Sequence, residues 1–133
     1  MGIGPEITVT LSSNLIQFEW RGKQLQLEPY VNMDMDKRAP VQIGKNANMP
    51  GTILIGVFDI KSELPFPGDK FPFLQMLFEY GIGKMFEQQR LPMLKPLIII
   101  RGVDSLREIL GGYQYALIAT AFIKAKARFV RFE

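Results

Sequence analysis

The chain is 133 residues long, 47% apolar, and carries 16 lysines and arginines against 13 aspartates and glutamates. One folded domain with a real core fits that length and composition, and global disorder is excluded. With no cysteine and no histidine, disulfides, thiolate zinc sites, cysteine nucleophiles and imidazole bases are excluded as well.

The first element is an alternation, with Ile7, Val9 and Leu11 on one side and Thr8 and Thr10 on the other. A period of two with β-branched residues predicts a strand. The small polar corner Ser12-Ser13-Asn14 follows, and then Ile16, Phe18 and Trp20 alternate with Gln17 and Glu19 as a second strand. A turn around Gly22 leads to a third alternation, Leu25 and Leu27, which resumes at Val31 and Met33 after Glu28-Pro29. Pro29 cannot donate to a ladder and marks an edge, a bulge or a bend. Residues 6–43 thus read as a meander, ending in the polar turn 33–40 and the short alternation Val41, Ile43. Residues 44–68 carry proline and glycine punctuation around Ile53-Leu54-Ile55 and predict an irregular crossing with at most one short strand.

A helix is expected from about Asp69, which can cap, with Pro72 in an early position that needs no N–H. Phe71, Leu74, Phe78, Ile82, Met85 and Phe86 then recur at helical spacing as a core-facing stripe. The run Leu97-Ile98-Ile99-Ile100, bounded by Pro96 and Gly102, reads as a buried strand. Ser105 and Glu108 have capping-box spacing ahead of a helix running to about Ala125, with a possible break at Gly111-Gly112. Arg128 to Phe132 alternates as a final strand. The order for residues 69–133 is helix, strand, helix, strand. An α/β fold follows, with a mixed five-stranded sheet and helices packed on it by right-handed crossovers.

No run reaches the ~18–20 apolar residues that cross a bilayer. Met1 to Pro5 has no charged n-region or long apolar stretch, so no signal peptide is read and the expected location is the cytoplasm. The net charge of +3 is compatible with an acidic partner but does not predict a nucleic-acid binder.

With the elements placed, several stretches resemble the bacterial actin homologue MreB over the first half of its nucleotide-binding core. Asn14, Leu15, Ile16, Gly22, Leu25, Leu27, Glu28 and Pro29 fall at matching positions in "SSNLIQFEWRGKQLQLEPYVNMD". "APVQIGKNA", "PLIIIRGVDS" and "ATAFIKAKARFVRFE" resemble later motifs in the same order. The resemblance implies a ribonuclease-H-like, actin-like half-fold, whose sheet order is 3-2-1-4-5. It also exposes departures. That family's first hairpin carries D-x-G for metal and phosphate, whereas Val9 to Ser12 has neither residue. The second phosphate hairpin and the second half of the family's molecule have no counterpart in these residues, which implies that ATP hydrolysis is not expected.

The candidate sites each have a plainer explanation. Ser12, Ser13 and Asn14 could offer hydroxyls and amides to an anion, but these residue types also suit a turn, and the glycine that permits close phosphate approach is missing. Glu6, Glu79, Glu87 and Asp104 come from the elements that supply acids to ribonuclease-H-like two-metal sites. Yet Glu6 precedes its strand rather than lying inside it, and solvated faces account for the others. Asp34 and Asp36 are too sparse for a calcium loop. Lys124, Lys126, Arg128 and Arg131 could meet an acidic partner, or complement a helix C-terminus and guard an edge strand. The apolar residues of 71–86, with Phe66, could leave surface for association.

The sequence therefore predicts no catalytic residue, no cofactor and no metal ligand. It predicts a scaffold or interaction domain with a protein partner or self-association, and neither nucleotide nor nucleic acid as ligand. Two alternatives remain open: a metal-dependent nuclease or phosphotransferase, and a small dimeric adaptor unrelated to actin.

Overall fold

The computed structural model describes residues 4–59 and 70–133. The opening alternations form β1 (Glu6–Leu11), β2 (Ile16–Trp20) and β3 (Lys23–Leu27), antiparallel with Val9 opposite Phe18 and Phe18 opposite Leu25. At Glu28-Pro29 the chain leaves this sheet. β4 (Tyr30–Asp34), β5 (Ala39–Ile43) and β6 (Ile53–Gly56) make a separate three-stranded antiparallel sheet in the order β5-β4-β6. The alternation continuing past Pro29 is thus a new strand and not more of the third, because the proline cannot carry the ladder onward. The loop after β5 folds back over β4, where the Asn32 amide nitrogen donates to the Ala47 carbonyl at 2.8 Å.

Helix α1 (Phe71–Phe86) buries Leu74, Phe78, Ile82 and Met85 of the predicted stripe together with Leu77 and Gly81, while Phe71 and Phe86 at its two ends are half-buried. Pro72 sits in the first turn. Lys70 occupies the N-cap without a side-chain cap, while Asp69 and Phe66 lie outside the described residues. β7 (Leu97–Arg101) inserts beside β1, parallel, with Ile7 opposite Ile98 and Val9 opposite Ile100. The expected capping box does not cap. Ser105 lies in a short 3₁₀ turn, Val103–Leu106, and its hydroxyl donates to the Gly102 carbonyl at 2.6 Å. Gly111 and Gly112 are both left-handed, φ 62° and 87°, which breaks the helical run. The second helix, α2, therefore spans Gln114–Lys124. β8 (Phe129–Phe132) closes the sheet, parallel to β7, giving the order β3-β2-β1-β7-β8. Within this sheet that is the expected 3-2-1-4-5 order.

Both helices cover one face of the five-stranded sheet. Phe18 from β2 meets Phe122 edge-on at 6.4 Å, and Phe78 stacks on Phe122 at 3.7 Å. Trp20 meets Phe86 edge-on at 4.9 Å. Gly81 lies directly over the Phe18 ring, where a Cβ would fall inside the ring's van der Waals envelope. The opposite face presents Thr8, Thr10, Gln17, Glu19, Gln24 and Gln26, following the strand register. The aromatic and methionine residues of 71–86 are thereby consumed in or against the core.

Candidate functional site

Open sheets with parallel strands bind ligands beyond the carboxyl ends of those strands. Here that end is formed by β1 running into the Ser12-Ser13-Asn14 corner, β7 running into Gly102, and β8 running into Glu133.

The corner is bonded to itself. The Ser12 amide donates to the Leu15 carbonyl at 2.9 Å. Its hydroxyl donates to Asn14 Oδ1 at 2.9 Å and reaches the Leu15 carbonyl at 3.3 Å. A backbone nest for phosphate alternates right- and left-handed residues so that successive N–H groups converge. No residue of this corner has a positive φ, so the amides do not converge in that way. The Ser12 hydroxyl proton is taken up within the corner by Asn14 Oδ1 and the Leu15 carbonyl.

The β7 side closes against the same point. Gly102 has φ 81°, and a Cβ there would collide with the Leu11 carbonyl oxygen. Only glycine allows this approach. Ser105 donates to that same Leu11 carbonyl at 3.3 Å. The end of β1 is thus capped by Gly102 and Ser105. Asp104, beside them, accepts a hydrogen bond from the Tyr115 hydroxyl at 2.7 Å. That bond, with lesser contributions from desolvation and from the Asp104 charge, raises the Tyr115 pKa above its usual 10.0. Tyr115 also meets Phe132 edge-on at 4.9 Å, joining α2 to β8.

At the far side of this end, Glu133 accepts from Arg131 at 3.0 Å and Arg101 at 3.2 Å. These hydrogen bonds, Arg131 first, hold the Glu133 carboxyl below its usual value of 4.5.

The four candidate acids do not converge. Glu6 starts β1 opposite Leu97 and lines a shallow cavity of about 460 Å³ with Gly4, Pro5, Trp20 and Arg21. Asp104 follows the other end of β7. Five strand residues separate those ends, roughly 17 Å at about 3.3 Å each, whereas paired metals sit ~3.5–4 Å apart. Glu79 is exposed on α1, and Glu87 pairs with Lys84 at 3.1 Å. Among the described residues, no group of three or more acids could hold a metal ion. Asp34 Oδ1 accepts the amides of Asp36 and Lys37 at 3.0 and 3.2 Å, which makes "DMD" a self-closed hairpin tip.

The basic residues also divide. Lys124 ends α2, and Lys126 is left-handed at φ 77° just beyond it. There the Lys126 amide bonds the Ile123 carbonyl and the Ala127 amide bonds the Phe122 carbonyl, a Schellman arrangement. Arg128 precedes β8, and Arg131 is paired with Glu133.

Two features here escaped the sequence reading. Tyr115 as the partner of Asp104 had no local signal, because the loop through Gly111-Gly112 brings them together. The outer face of α2 had one: Tyr115, Ala116, Ala119, Thr120 and Ile123 carry no charge across three turns, and Tyr115 and Ile123 are 44% and 49% exposed.

No helix among the described residues is long and apolar enough to cross a membrane. Neither a protein-family model nor a curated protein matches the chain. Solved structures do. A MamK non-polymerising mutant bound to AMPPNP superposes with TM-score 0.73 and 11% identity over 99% of this chain and 41% of its own. MreB5 of Spiroplasma citri bound to ADP gives 0.68 and 11% over 98% and 38%. The AMPPNP-bound form of the latter gives 0.66 and 11% over 100% and 39%. The chain spans about two fifths of each of these proteins. Its architecture is an actin-like half-fold, the fold of part of these bacterial actin-like proteins.

Proposed function

We propose that the chain is an actin-like scaffold or interaction domain of the cytoplasm that works by binding protein, without nucleotide hydrolysis. The observation that carries the reading is the self-bonded Ser12-Ser13-Asn14 corner, with the end of β1 capped by Gly102 and Ser105. Similar structures hold ADP or AMPPNP, and one is of a non-polymerising mutant. Assembly is the property we carry to this chain, and nucleotide chemistry is the one we do not. The positions that match the family's aspartate and glycine lie within Val9 to Ser12, which has neither residue. The uncharged outer face of α2 supports a protein-binding role, since a helix apolar nearly all round is ordinarily covered.

Calorimetric titration with magnesium ATP, followed by a phosphate-release assay, tests this. The reading predicts no saturable heat and no release above buffer. Tight binding with turnover would refute it.

A further inference from the structure

Helix α2 spends Gln114, Ile118, Ala121 and Phe122 on the core. Its outer residues form two ridges of four-residue spacing, Tyr115-Ala119-Ile123 and Ala116-Thr120-Lys124. Tyr115 and Ile123 are the 44% and 49% exposed ends of the first ridge, and Ala116, Thr120 and Lys124 are exposed on the second. No charge occurs from Ile109 to Ile123. A surface helix ordinarily carries charged and polar residues on its outer face, and this one carries a tyrosine, an isoleucine and small side chains instead.

Charge appears only at the two ends of that face, and the ends differ in sign. Asp104 is exposed and held at the first turn of α2, because its carboxylate accepts the Tyr115 hydroxyl at 2.7 Å. Lys124 closes the other end, with exposed Lys126 just beyond it. A helix of 11 residues is about 16 Å long at 1.5 Å per residue, so one short face runs from acid to base. Such a face is complementary to itself when reversed. A helix that lies in a lipid surface has a polar face rich in cations, and an acid at one end does not suit that role.

We propose that the outer face of α2 is a self-association surface whose occupant is a second copy of this chain. The two helices pack antiparallel about a two-fold axis between Ala119 and Thr120. Ile123 of each copy then lies over Ala116 of the other, and Ala119 meets Thr120. Tyr115 lies along the other copy's Lys124 stem, and the Lys124 ammonium reaches the Asp104 carboxylate that Tyr115 holds in place. The contact is isologous, so each ion pair occurs twice and the assembly closes as a dimer. Two faces of this length bury little area and belong with interfaces below about 1,200 Å², which associate weakly. The inference names one partner and one surface for the interaction reading above, on which it rests.

Sedimentation equilibrium tests it, over a range of about 10 μM to about 1 mM chosen for a weak interface. The expected mass rises from 15.2 kDa toward twice that value with concentration. Ile123→Lys, which sets a charge against the other copy's Ala116, is expected to weaken association at least tenfold. Asp104→Lys and Lys124→Glu each oppose like charges at both ends of the contact and should do the same. Mixing those two variants restores opposite charges at both ends, so the mixture should associate at least tenfold more tightly than either variant alone. Misfolding cannot produce that recovery. A monomer throughout the range, or a mixture no tighter than its components, overturns the proposal. Association that Ile123→Lys leaves intact also overturns it, placing the contact elsewhere on the molecule and leaving the interaction reading standing.

Discussion

Gly81 and Gly83 lie two residues apart on α1 and should respond to alanine in opposite directions. In an exposed helix interior the change gains up to about 1 kcal/mol, because alanine restricts the unfolded chain and favours the helix. At Gly83 nothing lies within 4 Å of an added Cβ, so Gly83→Ala should realise most of that gain. At Gly81 the new methyl would enter the Phe18 ring, which is fully buried and backed edge-on by Phe122, itself stacked on Phe78. The ring has no free direction in which to move, and overpacking of this kind costs about 1–3 kcal/mol. Gly81→Ala should then be net destabilising by about 1 kcal/mol, and the two variants should differ by about 2 kcal/mol. Urea denaturation at fixed m-value measures this directly. Thermal midpoints should separate by roughly 5–10 °C, given that 1 kcal/mol moves a domain of this size by a few degrees. Equal stabilisation by both variants would refute the packing of α1 on β2.

Further outcomes follow from the same structure. Lys126→Gly should stabilise by up to about 1 kcal/mol in denaturant melts, since a left-handed position after a helix suits glycine and strains a side chain. Gly102→Ala should destabilise, combining a positive φ with a collision at the Leu11 carbonyl, and amide shifts in the 12–15 corner should move with it. For Tyr115 the folded pKa is raised, so its contribution is fully present below pH 10 and is lost as pH rises through the folded value. Tyr115→Phe should remove that alkaline dependence in pH-resolved melts, and an unchanged profile would count against the Asp104 bond.

Much of the fold was legible because its alternations are undisturbed. Ile7-Val9-Leu11 and Ile16-Phe18-Trp20 each present one continuous buried face, and Leu97 to Ile100 has the solid apolar run of an interior strand. The spacing of Leu74, Phe78, Ile82 and Met85 likewise matched one covered face. The departure at Pro29 was less legible. The period of two runs straight through it, so the pattern cannot say that β4 joins a different sheet. The Ser105–Glu108 spacing misled because left-handed Gly111 and Gly112 end that segment before a helix can form, and Ser105 spends its hydroxyl on Gly102 and Leu11. At the candidate site, the residue types of the corner were readable, but the approach of Gly102 to Leu11 joins residues far apart in sequence.

The central proposal is that the first hairpin of this chain does not hold phosphate. Amide resonances of Ser12, Ser13, Asn14 and Gly102, followed while magnesium AMPPNP is added, test it at the residues concerned. The account predicts that these resonances stay in place across the titration. Saturable shifts centred on them would contradict it.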